Sequence, residues 1–147
     1  MRIALGSDHA GYYMKQQVND YLRDRGVELT DLGTHNNEPT DYPEIAVSVA
    51  QAVIQGRADR GILICGSGEG MFMVANRFRG IRAALATSIE DANLSRRHDD
   101  ANVLCLGGRL TSLVESLQIV DAFLGTEFEG GHYQRQVERI DKVTRSR

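Results

Sequence analysis

The sequence predicts an α/β fold: a five-stranded parallel sheet, helices on both faces, and an extra helix at the C-terminal end. Three observations predict it. Short apolar runs alternate with single helix-length segments, the pattern of consecutive βαβ units. The run Gly61-Ile62-Leu63-Ile64-Cys65 is continuously apolar and bounded by glycine, which suits a strand covered on both faces. It passes straight into the alternating glycines Gly66, Gly68 and Gly70, then a helix-like stretch from Met71 to Arg79. A strand, a tight loop and a helix start gather main-chain N–H groups around one point, which favours negative charge there.

In chain order, Arg2 to Gly6 reads as the first strand. Ser7-Asp8-His9-Ala10-Gly11 follows, then a helix from about Tyr12 to Arg25. Its apolar positions Met14, Val18, Tyr21 and Leu22 fall at helical spacing, and Gly26 is its stop. Val27 to Leu32 is the second strand, and Gly33 to Asp41 a polar loop. Pro43 suits a first helical position, and the helix Pro43 to Ile54 stops at Gly56. Gly61 to Cys65 is the third strand. Ile81 to Ala86 is the fourth, followed by a helix from Ile89 to Arg97. Asn102 to Leu106 is the fifth, followed by Gly107-Gly108 and a helix from Ser112 to Leu124. After the break Phe128-Glu129-Gly130-Gly131, the segment from His132 to about Thr144 is helical. It carries a narrow apolar stripe (Val137, Ile140, Val143 or Thr144) and the i,i+4 pairs Glu138–Lys142 and Asp141–Arg145. So narrow a stripe suits packing on another subunit. The expected strand order is 2-1-3-4-5, with a switch point between strands 1 and 3 where open parallel sheets bind ligands. Asp8, His9, Cys65 and Ser67 then share one crevice.

Composition narrows the function. A chain of 147 residues suits one domain spanning 1–147, burying roughly 70% of its unfolded surface. A net charge of -3 argues against nucleic-acid binding. No run approaches a membrane span, and Met1-Arg2-Ile3 is no signal peptide, so a cytoplasmic location is expected. Cys65 and Cys105 are then expected to be reduced thiols. The dinucleotide fingerprint fails because Met71 stands where its last glycine belongs, and no lysine completes a nucleotide phosphate loop. The histidines and cysteines lack zinc-ligand spacing, so no metal or cofactor is expected.

What remains is a thiol at a strand end facing a glycine loop, a place to hold a developing oxyanion beside a nucleophile or base. Glycines that merely close a strand–helix turn are the plainer alternative. Asp8 reads either as the cap of the next helix or as an acceptor for a sugar hydroxyl, with His9 handling an anion or proton. His98, within Arg96-Arg97-His98-Asp99-Asp100, reads as part of a charged loop or as a proton-transfer group. Arg109 follows two glycines, where a cation can reach an anion. Cys105 reads as a packing residue.

These residues carry a resemblance. Gly6-Ser7-Asp8-His9-Ala10-Gly11, Thr40-Asp41-Tyr42-Pro43, Ile64-Cys65-Gly66-Ser67-Gly68, Ala75-Asn76, Gly80-Ile81-Arg82-Ala83, Arg97-His98 and Asn102-Val103-Leu104 together resemble the ribose-5-phosphate isomerase B family, whose wider circle includes the galactose-6-phosphate isomerase subunits. The resemblance spans nearly the whole chain in matching order. It implies a Rossmann-like three-layer α/β/α sandwich and a metal-independent aldose–ketose isomerase interconverting ribose 5-phosphate and ribulose 5-phosphate. It also implies homodimers or homotetramers whose active sites are shared between subunits. Carried over by position, Cys65 is the base that moves a proton between C1 and C2. Relatives lacking that cysteine use a glutamate where Met71 stands. Ser67 relays protons between substrate oxygens, and the Gly66, Gly68, Glu69 and Gly70 backbone holds the enediolate. His98 and Asp8 open the sugar ring, Tyr42 lines the sugar site, and His9 and Arg109 face the phosphate end.

Departures from the family pattern bear on the substrate. The family's two phosphate-binding arginines correspond to His132 and Gln136, with Tyr133 at the intervening histidine position. Arg135 is one residue off, about 100° round a helix. Asp99 replaces an asparagine. Ribose 5-phosphate is the simplest substrate, another sugar or sugar phosphate the alternative. A non-catalytic sugar-phosphate-binding module is a third reading, since fold does not fix function.

Overall fold

A computed structural model describes residues 1–144. β1 (Arg2–Ser7) leads through a 3-10 turn at His9–Gly11 into α1 (Tyr12–Arg23). β2 (Glu28–Asp31), α2 (Tyr42–Ile54), β3 (Arg60–Cys65), α3 (Glu69–Ala75) and β4 (Ala83–Leu85) follow. The chain continues through α4 (Ile89–Asp99), β5 (Val103–Gly107), α5 (Leu113–Gly125) and α6 (His132–Val143). Each predicted element is present, and among the described residues no helix is long and apolar enough to cross a membrane.

All strand pairs are parallel, and the sheet order is β2-β1-β3-β5-β4. The fold class is the expected one; the expected order 2-1-3-4-5 is corrected at its last two strands. β5 is buried at every position, whereas the three residues of β4 are only half-buried. A short, half-buried strand belongs at an edge, and a fully buried one between neighbours. The correction moves the end of β5 beside the end of β3, with Cys65 opposite Gly107.

Two apolar layers hold the sheet. α1, α4 and α5 pack Met14, Val18, Leu22, Ala92, Ile119, Val120 and Phe123 on Ile3, Leu5, Ile62, Ile64, Leu104 and Leu106. α2 and α3 pack Ala46, Val49, Ala50, Met71 and Ala75 on Ala4, Leu63, Cys65, Val103 and Cys105. Fully burying one such Leu, Ile or Phe side chain stabilises by about 1.5–3 kcal/mol. The second layer is built from small residues, so α2 lies close. A Cβ on Gly61 would stand 2.6 Å from Val49 Cγ1. That approach sets the N-terminus of α2, and with it Tyr42, over the strand ends.

Serine caps start α4 and α5: Ser88 Oγ accepts the Asp91 N–H at 3.1 Å, and Ser112 Oγ accepts the Glu115 N–H at 3.2 Å. α6 contains no buried residue; Val137 is half-buried, and Ile140 and Val143 are exposed. It is anchored where the Gly80 N–H donates to the Asp141 carboxylate at 3.1 Å. Glu138 accepts from Gln134 Nε2 at 2.8 Å instead of pairing with Lys142 as expected. The expected Asp141–Arg145 pair lies outside the described residues.

Candidate active site

Three strands end together. At the C-terminal ends of β1, β3 and β5 lies an open crevice of about 630 Å³. Cys65 forms its floor, 5% exposed, and Cys65 Sγ accepts the Gly68 N–H at 3.1 Å. Gly68 has φ +83, and a Cβ there would stand 2.7 Å from Leu85 Cδ1, so both the turn and the space require glycine. Ser67 Oγ accepts the Glu69 N–H at 3.2 Å, which aims the hydroxyl along the same loop. Among the described residues the N–H groups of Gly66, Ser67 and Gly70 bond to no other main-chain group. They are the donors left for a ligand.

The neighbouring loops are fastened to this one. The Asp8 N–H donates to Ile64 O at 3.2 Å, the Gly108 N–H to Cys65 O at 2.7 Å, and the Arg109 N–H to Gly66 O at 3.0 Å. The last two bonds exist because β5 adjoins β3. Asp8 caps the turn that follows β1 and also lies in the crevice wall. It is buried, and its Oδ1 accepts the Gly11 N–H at 3.1 Å. His9 Nδ1 accepts the Thr40 N–H at 3.1 Å and lies 3.3 Å from Thr40 O; the shorter contact comes from a fixed donor and favours a neutral ring with its proton on Nε2. Tyr42 lies against Gly70; a Cβ on Gly70 would stand 2.6 Å from Tyr42 Cζ. Arg109, Glu69, Met73 and Leu110 complete the rim.

A second cluster lies at the other end of the sheet. His98 occupies the last turn of α4, which leads directly into the start of β5. Five-residue β5 therefore separates the two levels by ~13 Å or more. His98 stacks on Tyr133, ring centroids 4.3 Å apart and 12° from coplanar. Tyr133 also meets His132, at 4.0 Å. Arg97 Nε donates to Glu129 Oε2 at 2.7 Å, and the Glu129 N–H to Arg97 O at 3.0 Å, which straps the 126–131 connection to α4.

Cys105 contrasts with Cys65. It is wholly buried, and loss of hydration pushes its thiol well above the usual range, with a smaller effect from Cys65. It is a packing residue. Among the described residues no group of three His, Cys, Asp or Glu side chains is placed to hold a metal ion.

Residues 3–142 match the family model described as Ribose/Galactose Isomerase. The chain belongs to this family. It is 47% identical over 146 residues to ribose-5-phosphate isomerase B of Escherichia coli (strain K12), covering 99% of this chain and 98% of that protein. The structure of the Clostridium thermocellum ribose-5-phosphate isomerase B superposes with a TM-score of 0.96 at 48% identity, over 97% of both chains. Ribose-5-phosphate isomerase B of Mycoplasma genitalium, solved with bound ribulose-5-phosphate, gives 0.94 at 40% identity, over 99% of this chain and 97% of that one.

Of the residues that this family resemblance singled out, Asp8, His9, Tyr42, Cys65, Gly66, Ser67, Glu69, Gly70 and Arg109 line the crevice, with Gly68 buried beneath it. His98, Asp99, His132 and Gln136 do not. Within one chain, the expected ring-opening pair of His98 and Asp8 stands at opposite ends of the sheet. Asp99 closes α4, its carbonyl accepting Arg82 Nε at 3.2 Å, while His132 and Gln136 are exposed on α6. Three contributors escaped the sequence reading: the Thr40 N–H that holds His9, the Tyr133 ring between two imidazoles, and the apolar rim of Met73 and Leu110. Thr40 acts through its main chain, which no side-chain pattern reveals.

Proposed function

We propose that the protein is a metal-independent aldose–ketose isomerase that interconverts ribose 5-phosphate and ribulose 5-phosphate through a cis-enediolate. The observation that carries this is Cys65 Sγ under the Gly68 N–H, beside Ser67 and beneath unengaged main-chain donors. In the opened aldose, the Cys65 thiolate takes the proton from C2. The electron pair moves into a C1–C2 double bond, and the carbonyl oxygen O1 becomes negative. Ser67 passes a proton from O2 to O1. The thiol then returns its proton to C1 as the ketone forms at C2. The charge exists only around the transition state, where one aimed donor contributes about 2.7–4 kcal/mol. His9 and Arg109 face the phosphate.

Ring opening needs a proton donor and acceptor. His98 is proposed for this role with Asp8, which requires the two to come from different copies of the chain in a homodimer or larger assembly. A second reading keeps the chemistry and changes the substrate. The exposed His132 and Gln136 of α6 offer no guanidinium to a phosphate brought from another copy.

The test is turnover of ribose 5-phosphate by the purified protein, with and without chelator. Turnover unaffected by chelator is expected. Binding of the sugar phosphate with no turnover would leave a binding module instead.

A further inference from the structure

We infer that Lys15 is a positioning residue for the anion end of the crevice, acting through the 33–41 loop on His9; this rests on the reading of the crevice as a sugar-phosphate site. Lys15 is fully buried inside α1, and its ammonium makes two short contacts. It donates to Asp31 Oδ1 at 2.6 Å and to Thr34 O at 2.5 Å. The Tyr12 ring lies 5.5 Å away. Stability alone does not account for a lysine here. A buried ion pair is often replaced by packed apolar side chains at no loss, because desolvating the charges offsets their attraction.

The ammonium holds the carbonyl side of a loop root whose main chain is also tied to Ser7, through the Ser7 N–H to Gly33 O and the Thr34 N–H to Ser7 O, both at 2.7 Å. Thr34 begins a segment whose middle, residues 35–39, is exposed. Beyond the root, the loop returns to the body at Thr40. There Thr34 Oγ1 lies 3.3 Å from Thr40 Oγ1, and the Thr40 N–H meets His9 Nδ1. Four residues therefore form one line, from Lys15 to the Thr34 carbonyl, from Thr34 to Thr40, and from Thr40 to the His9 ring. The last link, at 3.1 Å against 3.3 Å to Thr40 O, favours the proton on Nε2 and leaves Nε2–H to donate towards an anion in the crevice. Without Lys15 the Ser7 bonds remain, but the Thr34 carbonyl loses its partner, the Thr34 side chain shifts from Thr40, and the His9 ring samples both tautomers. Asp31 tolerates the change, since it is partly exposed and also accepts the Gly33 N–H at 2.9 Å.

The experiment is Lys15→Met, which keeps the length and removes the charge. Two quantities are read: kinetics with ribose 5-phosphate, and the ¹⁵N resonances of the His9 imidazole in the free protein. The expected result is a KM about tenfold higher with kcat within about twofold, the pattern of binding lost equally in ground and transition states. His9 is expected to pass from the Nε2–H form to a mixture. A variant that folds with His9 and KM unchanged overturns the inference, whatever its melting temperature. So does a fall in kcat with the His9 resonances unmoved. If Lys15→Met does not fold, Thr34→Val decides, because it breaks the Thr34–Thr40 contact and leaves the ion pair intact. The same two changes then support the inference, and their absence overturns it. Should the wild-type protein not turn over ribose 5-phosphate, the functional reading fails while the His9 resonances still decide the role of Lys15.

Discussion

Cys65 and Cys105 sit on neighbouring strands and face the same apolar layer, yet their surroundings differ. Cys65 ends its strand under an N–H donor, while Cys105 is enclosed and held neutral by burial. Substituting each by alanine separates chemistry from packing. Cys65→Ala is expected to fold and assemble normally and to lose nearly all turnover. Retention of more than a tenth of kcat would mean a loss below ~1.4 kcal/mol, too small for removal of the base. Cys105→Ala is expected to keep kcat and lose about 1 kcal/mol of stability, read from denaturant melts of both variants. Cys65 was legible in the sequence because an apolar run stops there and glycines begin. Lys15 was not. The helical pattern of Met14, Val18, Tyr21 and Leu22 treats a lysine as solvent-facing. Its burial depends on Asp31 and Thr34, 16 and 19 residues away. Pairing over that distance leaves no local mark.

At the scale of the element, β4 and α6 show what a pattern can and cannot carry. The run Ile81 to Ala86 looks like a full strand, yet only Ala83–Leu85 joins the ladder, and Ile81 and Ala86 bury themselves outside it. Sequence order alone then misplaced β4, because nothing in a three-residue strand records which edge it takes. The extent of α6 was legible; what covers its apolar stripe was not, since no residue of α6 is buried within the chain. Its substitutions carry a prediction about substrate. If His132 and Gln136 face the substrate phosphate, each charge-assisted hydrogen bond absent there costs about 1.5–3 kcal/mol of phosphate binding. Restoring guanidinium groups with His132→Arg/Gln136→Arg is expected to raise kcat/KM for ribose 5-phosphate at least ~10-fold, mainly through KM. The measurement compares ribose 5-phosphate with tetrose phosphates, hexose phosphates and free aldoses, for both proteins. Suppose the unaltered protein prefers ribose 5-phosphate at ~10⁴ M⁻¹s⁻¹ or above, and the double variant is no better. The phosphate is then held by other groups, with His9, Arg109 and Arg135 the candidates, and the shifted-substrate reading is wrong.

At the scale of the whole molecule, the proposed catalytic residues fall into two clusters that one chain keeps apart. The crevice at the strand ends has Cys65, Ser67, Asp8 and His9, while His98 with Tyr133 and His132 lies beyond the opposite end of β5. No rearrangement of loops brings them together, because a hydrogen-bonded strand and a packed helix separate them. In a two-fold dimer the same patch meets its partner reciprocally, so each crevice can receive the second cluster of the other copy. The apolar groups left uncovered support such a contact. Leu110 and Met73 on the crevice rim are 71% and 59% exposed, and Val143 on α6 is 64% exposed. A mixing experiment tests the arrangement directly. Cys65→Ala and His98→Asn are each expected to be nearly inactive on ribose 5-phosphate. When the two are unfolded together in equal amounts and refolded, half the dimers are mixed. In a mixed dimer one site takes Cys65 from one chain and His98 from the other, and so is wholly unaltered, while the second site lacks both. About a quarter of the wild-type activity is therefore expected to return if sites are shared across a two-fold interface. If each chain supplied both residues to its own site, every site in the mixture would lack one of them, and mixing would restore nothing.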